Sequence, residues 1–243
     1  MTLRFHRQLG DVAVISFDLD DTLYDNLPIL RAAEEKVQHY IEQQYPQTRH
    51  WDIAHWRARR MQLMQRDTTL SSNMTLLRLT TLTEGFSEAG VDNPGQAADD
   101  VMQQFHHHRS NFKVPDSVHQ LLNGLRKHFR LCAISNGNVD CARIGLAEHF
   151  DIIVQPQEQL RGKPHPDMFE VVLKHYQIAA RQLLHIGDHP HSDILGAHRA
   201  GCQSGWFRDG LGNAKELSVV PTFSFDNLNQ LLALSDTGCT YSS

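Results

Sequence analysis

The stretch Val12-Ala13-Val14-Ile15-Ser16-Phe17-Asp18-Leu19-Asp20-Asp21-Thr22-Leu23 decides the predicted fold, because acidic residues follow a short apolar run. Residues 12–17 are mostly apolar and β-branched, which is typical of a strand buried on both faces of a parallel sheet. Ligands of open α/β sheets bind beyond the carboxyl ends of such strands. We therefore expect Asp18 and Asp20 to lie at a ligand-binding edge of the sheet.

The spacing of Asp18 and Asp20 points to a cation. Side chains alternate along an extended backbone, so both carboxylates would point the same way if the strand continues. Carboxylates that close repel each other at neutral pH unless a cation or a shared proton lies between them. Mg²⁺ is the expected cation because it is hard and prefers oxygen ligands. An acidic turn or a helix N-cap explains two aspartates alone equally well, so the remaining sequence must distinguish these alternatives.

Composition excludes several classes of protein. A chain of 243 residues with 40% hydrophobic and 21% charged residues suits one large globular domain, or a domain with a sizeable insertion. The net charge of -5 provides no basic field, so neither nucleic acid nor membrane is an expected partner. No apolar run approaches the roughly 20 residues of a membrane-spanning helix. Residues 1–8 lack the apolar core of a secretory signal, so we expect a cytoplasmic protein.

Cysteine and histidine give no separate metal or disulfide signal. The four cysteines form no CxxC pair and have no spacing typical of a disulfide framework; they are Cys132, Cys141, Cys202 and Cys239. The run His106-His107-His108 is the densest among the 16 histidines. On a helix, consecutive side chains diverge by about 100°, so these three imidazoles cannot bind one ion together.

Strand and helix patterns alternate through the second half of the chain, which predicts a parallel sheet with helices on both faces. Right-handed crossovers would bring the carboxyl ends of its strands to one edge. Further strands are expected at residues 131–134, 152–154, 183–186 and 205–207 and, more weakly, at 222–225. Helices are expected at residues 116–129, 139–149, 166–176, 192–200 and 228–234, and the tail 235–243 is expected to fray.

The segment 25–109 has a different character, because it contains apolar residues at helical spacing and no strand pattern. The expected helices are residues 30–44, 51–65, 74–89 and 96–109. This insertion leaves the sheet directly after Asp18 and Asp20, so it is placed to cover the site as a lid. An independent helical domain with no catalytic part is the alternative.

Polar groups follow three further strands of the predicted sheet. Ser135 and Asn136 come after residues 131–134, Lys163 follows the third strand after a loop, and Asp188 ends the fourth strand with Asp193 five residues later. Each alone has a structural explanation, such as a strand end, a solvated lysine or a helix N-terminal charge. Their shared position at one sheet edge instead predicts a catalytic site.

Phosphoryl transfer needs a nucleophile, a proton donor for the leaving alcohol and positive charge around the phosphoryl oxygens. The predicted edge of the sheet brings such groups together. Asp18 can be the nucleophile that forms an aspartyl-phosphate, and Asp20 the general acid and then the general base. Lys163 and the Ser135 hydroxyl would neutralise and orient the phosphoryl oxygens, and the backbone amides of Asn136 and Gly137 would add a small anion-binding nest. Mg²⁺ would cancel the repulsion between the carboxylate and the phosphate.

In combination, these motifs resemble the haloacid dehalogenase superfamily. The motifs are Asp18-Leu19-Asp20-Asp21-Thr22, Ser135-Asn136-Gly137, Lys163-Pro164-His165-Pro166-Asp167-Met168-Phe169, and Gly187-Asp188 through Asp193. The resemblance implies a Rossmann-like core at residues 1–24 and 110–243 with a helical cap at residues 25–109. It also implies that Mg²⁺ is held by the Asp18 carboxylate, the Asp20 backbone carbonyl and Asp188, while Asp193 supports the metal's water shell or Lys163.

Asp20 separates reactions within this superfamily, because its dehalogenases lack the second acid and need no Mg²⁺. We therefore expect a phosphomonoester hydrolase. The segments Arg4-Phe5-His6-Arg7 and Ser16 through Asn26 resemble bacterial phosphatases that act on flavin mononucleotide (FMN) and on 5-amino-6-(5-phospho-D-ribitylamino)uracil, a riboflavin precursor. The expected partner is a small phosphorylated metabolite, and the oligomeric state is left open. The cap aromatics Trp51, Trp56 and Phe86 either stack on a substrate ring or, as we favour, pack together.

Alternatives remain within and outside this reaction class. The substrate is alternatively a sugar phosphate or a nucleotide, or the enzyme is a phosphomutase. A non-catalytic phosphate-binding protein would be expected to lack one of the acids. A receiver-like signalling module also uses a strand-end aspartate, Mg²⁺ and a lysine, but the long helical insertion and the second acid argue against it.

Overall fold

The computed structural model describes residues 3–67, 69–70 and 73–237, and these form two compact units. The sheet unit comprises the described residues up to Asp25, then Lys113–Gly137, and the described residues from Gly145 onward. The helical unit comprises Asn26–Phe112 together with Asn138–Ile144. Residues 138–144, which the sequence assigned to the core domain, thus group with the helices.

The sheet unit is built on seven strands in the order β1-β7-β6-β5-β2-β3-β4. All neighbouring pairs are parallel except β1 and β7, so the predicted α/β fold with a mostly parallel sheet is confirmed. All four residues of β2 are buried, as expected of the apolar stretch that opens the fold. The strands are β1 (Arg4–Phe5), β2 (Val14–Phe17), β3 (Arg130–Ile134), β4 (Ile152–Val154), β5 (Leu183–Gly187), β6 (Gln203–Phe207) and β7 (Phe223–Phe225).

The antiparallel strand β1 was not predicted, because two exposed residues carry no periodic pattern. The other strands lie where the apolar runs placed them, and the weak run near the C-terminus is the strand β7. The helices of the sheet unit are α5 (Asp116–Leu125), α6 (Asp167–Tyr176) and α7 (Gly196–Arg199). A short π-helical segment (Pro190–Leu195) precedes α7, and a 3₁₀ helix (Leu228–Thr237) ends the described chain.

The helical unit confirms the four predicted helices of the insertion. They are α1 (Asn26–Gln44), α2 (Ile53–Arg66), α3 (Met74–Glu88) and α4 (Pro94–Arg109). Local chemistry fixes two of their starts, because Asp52 accepts a hydrogen bond from the His55 amide (2.8 Å) and Asn73 accepts one from the Leu76 amide (3.0 Å). The first residue of α4 is Pro94, a position that needs no backbone donor.

The aromatic residues of the insertion pack with one another. The rings of Trp51 and Trp56 lie 5.1 Å apart, and those of Trp56 and Phe86 lie 5.6 Å apart. All three residues are buried in the core of the helical unit. The structure therefore agrees with packing as their role.

The predicted helix at residues 139–149 is wrong. This segment forms turns, and only Ala147–His149 closes a short 3₁₀ helix. Its apolar residues Val139, Ile144 and Leu146 are buried, but their spacings of five and two residues do not follow one face of a helix. Gly145 has a φ of 77°, in the left-handed region, so the chain reverses there instead of continuing a helix.

No described helix is long and apolar enough to cross a membrane. Among the described cysteines, Cys132, Cys141 and Cys202, none forms a disulfide. Cys239 and the predicted fraying of residues 238–243 lie outside the described residues.

Candidate active site

The carboxyl ends of three adjacent strands bring the predicted site residues together. In the sheet register, Phe17 at the end of β2 pairs with Ala133 on β3 and with Ile186 on β5. The amide of Asp18 donates to the Ile186 carbonyl at 2.8 Å, which ties this residue to the end of β5. Asp18, Ser135 and Asp188 thus follow neighbouring strands at one edge, as parallel topology predicts.

Lys163 lies at the centre of the site although it comes from a loop. Its ammonium donates to Asp18 Oδ1 at 2.7 Å, to Asp193 Oδ1 at 2.6 Å and to the Ile134 carbonyl at 2.6 Å. These three acceptors account for all three protons of the ammonium. The Lys163 side chain is only 1% exposed, so it holds a single orientation between the two carboxylates.

The Lys163 ammonium lies between two buried carboxylates whose pKa values are shifted in opposite directions. Burial alone would raise the pKa of Asp193, but the Lys163 ammonium holds it well below its usual range. Burial raises the pKa of Asp18 well above its usual range, against the lowering effect of the same ammonium. Burial alone would lower the pKa of Lys163, but both carboxylates raise it. A further cation beside Asp18 would favour its ionised form.

Asp188 lies in the same cluster. Its Oδ2 accepts from the Leu211 amide at 2.9 Å, and its Oδ1 accepts from the Thr22 hydroxyl at 3.3 Å. Burial first, and the charge of Asp193 second, raise the pKa of Asp188 to about 6. Its carboxylate, like that of Asp18, is therefore costly to ionise without a cation.

Asp20 lies on a tight turn after β2. Asp21 has a φ of 59°, and its amide donates to the Tyr24 carbonyl at 2.9 Å, which closes the turn. The Tyr24 hydroxyl donates to Asp20 Oδ1 at 2.7 Å. A β-carbon on Gly137 would lie 2.4 Å from Asp20 Oδ2 and 3.3 Å from Ser135 Oγ. Asp20 and the loop after β3 therefore approach each other closely, and a β-carbon at Gly137 would displace the Asp20 carboxylate.

Ser135 and Asn136, the two residues after β3, have different hydrogen-bond partners. Ser135 is fully buried, and its hydroxyl accepts from the Gly137 amide at 3.1 Å. The Asn136 side chain instead pairs with the backbone of Lys163, donating to its carbonyl at 2.8 Å and accepting from its amide at 2.7 Å. The contact of Asn136 with phosphate stays a prediction, whereas its two hydrogen bonds to the Lys163 backbone position that residue.

The structure adds His185, which the sequence interpretation treated only as part of a strand. This residue is fully buried in β5, and its Nε2 lies 3.2 Å from Asp193 Oδ1 and 3.5 Å from Lys163 Nζ. A polar residue inside the apolar run 183–186 was the available signal. Tyr24 was also missed, since only the turn brings its hydroxyl to Asp20.

The acids of the site fit a hard divalent cation. Carboxylate oxygens of Asp18, Asp188 and Asp193 lie within 4.8 Å of one another, and all three residues are buried. Three carboxylates outnumber the single ammonium, and all are oxygen donors, which suits Mg²⁺. Asp193 is already engaged by Lys163 and by the His189 amide at 2.9 Å, which leaves Asp18 and Asp188 as the better candidates for direct ligands.

Comparison with known proteins identifies the family of the chain. The profile of the haloacid dehalogenase-like hydrolases matches residues 12–201. The chain belongs to this family of hydrolases. The 5-amino-6-(5-phospho-D-ribitylamino)uracil phosphatase YigB of Escherichia coli (strain K12) is 28% identical over 237 residues, which is 96% of this chain and 100% of that relative. A glyceraldehyde 3-phosphate phosphatase of Pyrococcus abyssi (strain GE5 / Orsay) is 27% identical over 213 residues, or 82% of each chain.

Solved structures show the same fold. The crystal structure of a 2-haloacid dehalogenase from Pseudomonas syringae pv. Tomato DC3000 matches with a TM-score of 0.83 and 32% identity, covering 92% of this chain and 97% of that one. The predicted enzyme class, a haloacid dehalogenase-like phosphatase, is thus confirmed by the family and by the phosphatase relatives.

Proposed function

We propose that the protein is a Mg²⁺-dependent phosphomonoester hydrolase that forms an aspartyl-phosphate on Asp18. The observation that carries this proposal is the contact of 2.7 Å between the buried Lys163 ammonium and Asp18 Oδ1. A carboxylate held beside a fixed cation at a strand end is placed to attack a phosphoryl group that the same cation stabilises.

In the first step, an oxygen of Asp18 attacks phosphorus. The new bond joins this oxygen to phosphorus, and the bond from phosphorus to the ester oxygen breaks. Asp20 gives its proton to the departing oxygen, so the alcohol leaves uncharged. Lys163 and Ser135 stabilise the charge on the phosphoryl oxygens.

In the second step, the phosphoryl group passes to water. Asp20, now a carboxylate, takes a proton from the water molecule whose oxygen attacks phosphorus. The bond between phosphorus and Asp18 breaks, which releases inorganic phosphate and restores both acids. Tyr24 donates to Asp20 Oδ1 at 2.7 Å and so holds this carboxyl in place for both proton transfers.

Asp18, Asp188 and the backbone carbonyl of Asp20 would hold the Mg²⁺ ion. When bound, the ion would neutralise the charge between the attacking carboxylate and the phosphate. Asp193 would act indirectly, because its oxygens are engaged by Lys163 Nζ at 2.6 Å and the His189 amide at 2.9 Å.

The proposed substrate is a small phosphorylated metabolite, with FMN and 5-amino-6-(5-phospho-D-ribitylamino)uracil as the first candidates. The similarity to YigB over 96% of this chain supports the uracil compound. The glyceraldehyde 3-phosphate phosphatase relative keeps a sugar phosphate or triose phosphate as an alternative. A nucleotide substrate and a phosphomutase reaction are the further alternatives.

A hydrolytic dehalogenase is the second candidate, because the Pseudomonas syringae protein of that name is 32% identical. A halide leaves without needing a proton, whereas an alcohol leaves more easily when an acid protonates it. Asp20 lies beside the Ser135 loop as such an acid, which favours ester hydrolysis.

The test compares the purified protein with its Asp18→Asn variant. We expect the wild type to hydrolyse p-nitrophenyl phosphate only with added Mg²⁺, and the variant to be folded and inactive. A screen of phosphorylated metabolites, ranked by kcat/KM, then identifies the substrate, and chloride release from 2-chloropropionate tests the second candidate. Normal turnover by Asp18→Asn, or turnover of the haloacid alone, would refute the proposal.

A further inference from the structure

His185 lies beneath the candidate active site and has no part in the chemistry described above. It occupies the middle of β5, opposite Ser16 on β2 and Ser204 on β6. It is fully buried, and the ring of Phe169 packs edge-on against it at a centroid distance of 5.0 Å. A polar ring in such a place needs hydrogen-bond partners on both nitrogens.

The surrounding groups determine which nitrogen carries the proton. Asp193 Oδ1, 3.2 Å from Nε2, is an ionised carboxylate oxygen and only accepts hydrogen bonds. All protons of the Lys163 ammonium are already directed to Asp18, Asp193 and the Ile134 carbonyl. We assign Nε2 as the donor to Asp193, which leaves Nδ1 to accept from the Ser16 hydroxyl at 2.9 Å. The opposite tautomer, with an Nδ1–H that donates to the Ser16 backbone, is the one that the NMR measurement below must exclude.

The ring also contributes no charge of its own. Burial, and then the charge of Lys163, lower the pKa of His185 to about 4, so the imidazole is neutral at neutral pH. The neutral ring therefore adds no net charge to the site, and its hydrogen bond helps the Lys163 ammonium to hold the pKa of Asp193 below its usual range.

These contacts form one chain of hydrogen bonds from the sheet to the reacting group. Ser16 orients His185, which donates to Asp193 Oδ1, and the same oxygen accepts from Lys163 at 2.6 Å. The second oxygen of Asp193 accepts from the His189 amide at 2.9 Å. Asp193 is thus held by three donors, and its position sets where the ammonium meets Asp18.

We infer that His185 is a positioning residue, which orients Asp193 and thereby aligns the Lys163 ammonium with Asp18. The inference rests on the proposed function for its effect on turnover, but the hydrogen-bond chain itself does not depend on it. Supporting groups of this kind typically change activity by about 10–100-fold when they are removed.

The kinetic test compares two substitutions at the same position. His185→Leu fills the space without a donor, whereas the His185→Gln side chain can donate its amide N–H to Asp193. We expect kcat for p-nitrophenyl phosphate to fall about 10–100-fold in His185→Leu and to stay within about fivefold of wild type in His185→Gln. Val172→Ala removes apolar volume from the core cluster that contains Phe169, the residue that packs on His185; it controls for lost stability and should keep near-normal kcat.

A measurement on the whole protein without substrate gives an independent answer. In nitrogen-15 NMR spectra, the His185 ring is identified by the signals that disappear in His185→Gln. We expect a neutral ring protonated at Nε2. A ring protonated at Nδ1 would overturn the inference, because Nε2 would then accept from Lys163 instead of donating to Asp193.

The outcomes separate this inference from the proposed function. Equal turnover by His185→Leu and His185→Gln, with wild-type activity in Val172→Ala, would also overturn it. If the wild type hydrolyses no phosphate ester, the proposed function fails, and the NMR measurement still decides the orientation of His185. The NMR result likewise decides the matter if His185→Leu does not fold.

Discussion

At the scale of single residues, Asp188 shows a conflict between burial and charge. Its pKa in the folded protein is raised from 3.8 to about 6 by burial and by Asp193. Because the folded-state value is the higher one, protonated Asp188 stabilises the fold below the unfolded pKa, and this stability is lost as pH rises through about 6. A shift of about two units corresponds to about 3 kcal/mol. Near neutral pH, the metal-free fold therefore carries an unfavourable ionised carboxylate.

The substitution Asp188→Asn tests this conflict. Without Mg²⁺ at pH 7.5, we expect the variant to unfold at a higher temperature than the wild type, because it removes the buried charge. Well below pH 3.8 the difference should vanish, since Asp188 is then protonated in both the folded and the unfolded state of the wild type. Added MgCl₂ should raise the melting temperature of the wild type but not of the variant. Equal responses to MgCl₂ would remove Asp188 from the proposed metal site.

Asp20 gives a second prediction at this scale. Asp20→Asn removes the proton donor, so we expect alkyl phosphates to lose about 10²–10⁴-fold in kcat. Esters of p-nitrophenol should lose less, because their leaving oxygen needs little protonation. Tyr24→Phe removes only the hydroxyl that contacts Asp20, and it should show a weaker effect in the same direction. Equal losses on both classes of ester would argue against Asp20 as the acid.

At the scale of elements, the loops after β2 and β3 are coupled through a glycine. A β-carbon at Gly137 would lie 2.4 Å from Asp20 Oδ2, the end of a side chain that can move away. Gly137→Ala should therefore lower kcat by at least tenfold while the melting temperature changes little. Gly95→Ala in α4, where a β-carbon meets nothing within 4 Å, is the matched control and should leave kcat unchanged. Unchanged turnover in Gly137→Ala would mean that Asp20 does not act from this position.

The strands and their polar ends were predictable because both signals are local. An apolar run that ends in Asp18, Ser135 or Asp188 identifies a buried strand and the edge where it stops. Parallel topology then brings these ends together without any further information. Lys163 was found by its motif, and the structure places its ammonium 2.7 Å from Asp18.

The remaining features depend on contacts between distant segments. Residues 139–149 were expected to be helical, yet Gly145 with a φ of 77° lies in the left-handed region and the apolar residues are buried through turns. His185 is 8 residues from Asp193 and 22 from Lys163, so only the folded sheet shows that they meet. The second role of Asn136, pairing with the Lys163 backbone, is hidden for the same reason.

At the scale of the whole molecule, each compact unit has its own core. Trp56 belongs to the core of the helical unit, while Asp18, Lys163 and Asp188 belong to the sheet unit. Burial in this core gives the aromatic residues of the helical unit a packing role. Trp56 closely approaches Gly85 within that core, which leaves no space for a larger residue.

The substitution Trp56→Leu tests this assignment. Loss of the buried ring should destabilise the protein by roughly 2–4 kcal/mol. The ratio of kcat/KM for FMN to that for p-nitrophenyl phosphate should stay the same, because the Trp56 ring is buried in the core of the helical unit. Leu77→Ala, in a separate apolar cluster of the same unit, serves as a control for destabilisation alone. A selective loss of activity towards FMN would assign Trp56 to substrate binding.

The central claim is that Asp18 carries the phosphoryl group during turnover. The most direct measurement is mass spectrometry of wild-type enzyme quenched in acid during turnover of the best substrate, followed by digestion. We predict the mass of one phosphoryl group on the peptide that contains Asp18, and its absence from the Asp18→Asn variant. A turning-over enzyme that carries the phosphoryl group on another peptide, or on none at any quench time, would contradict the account.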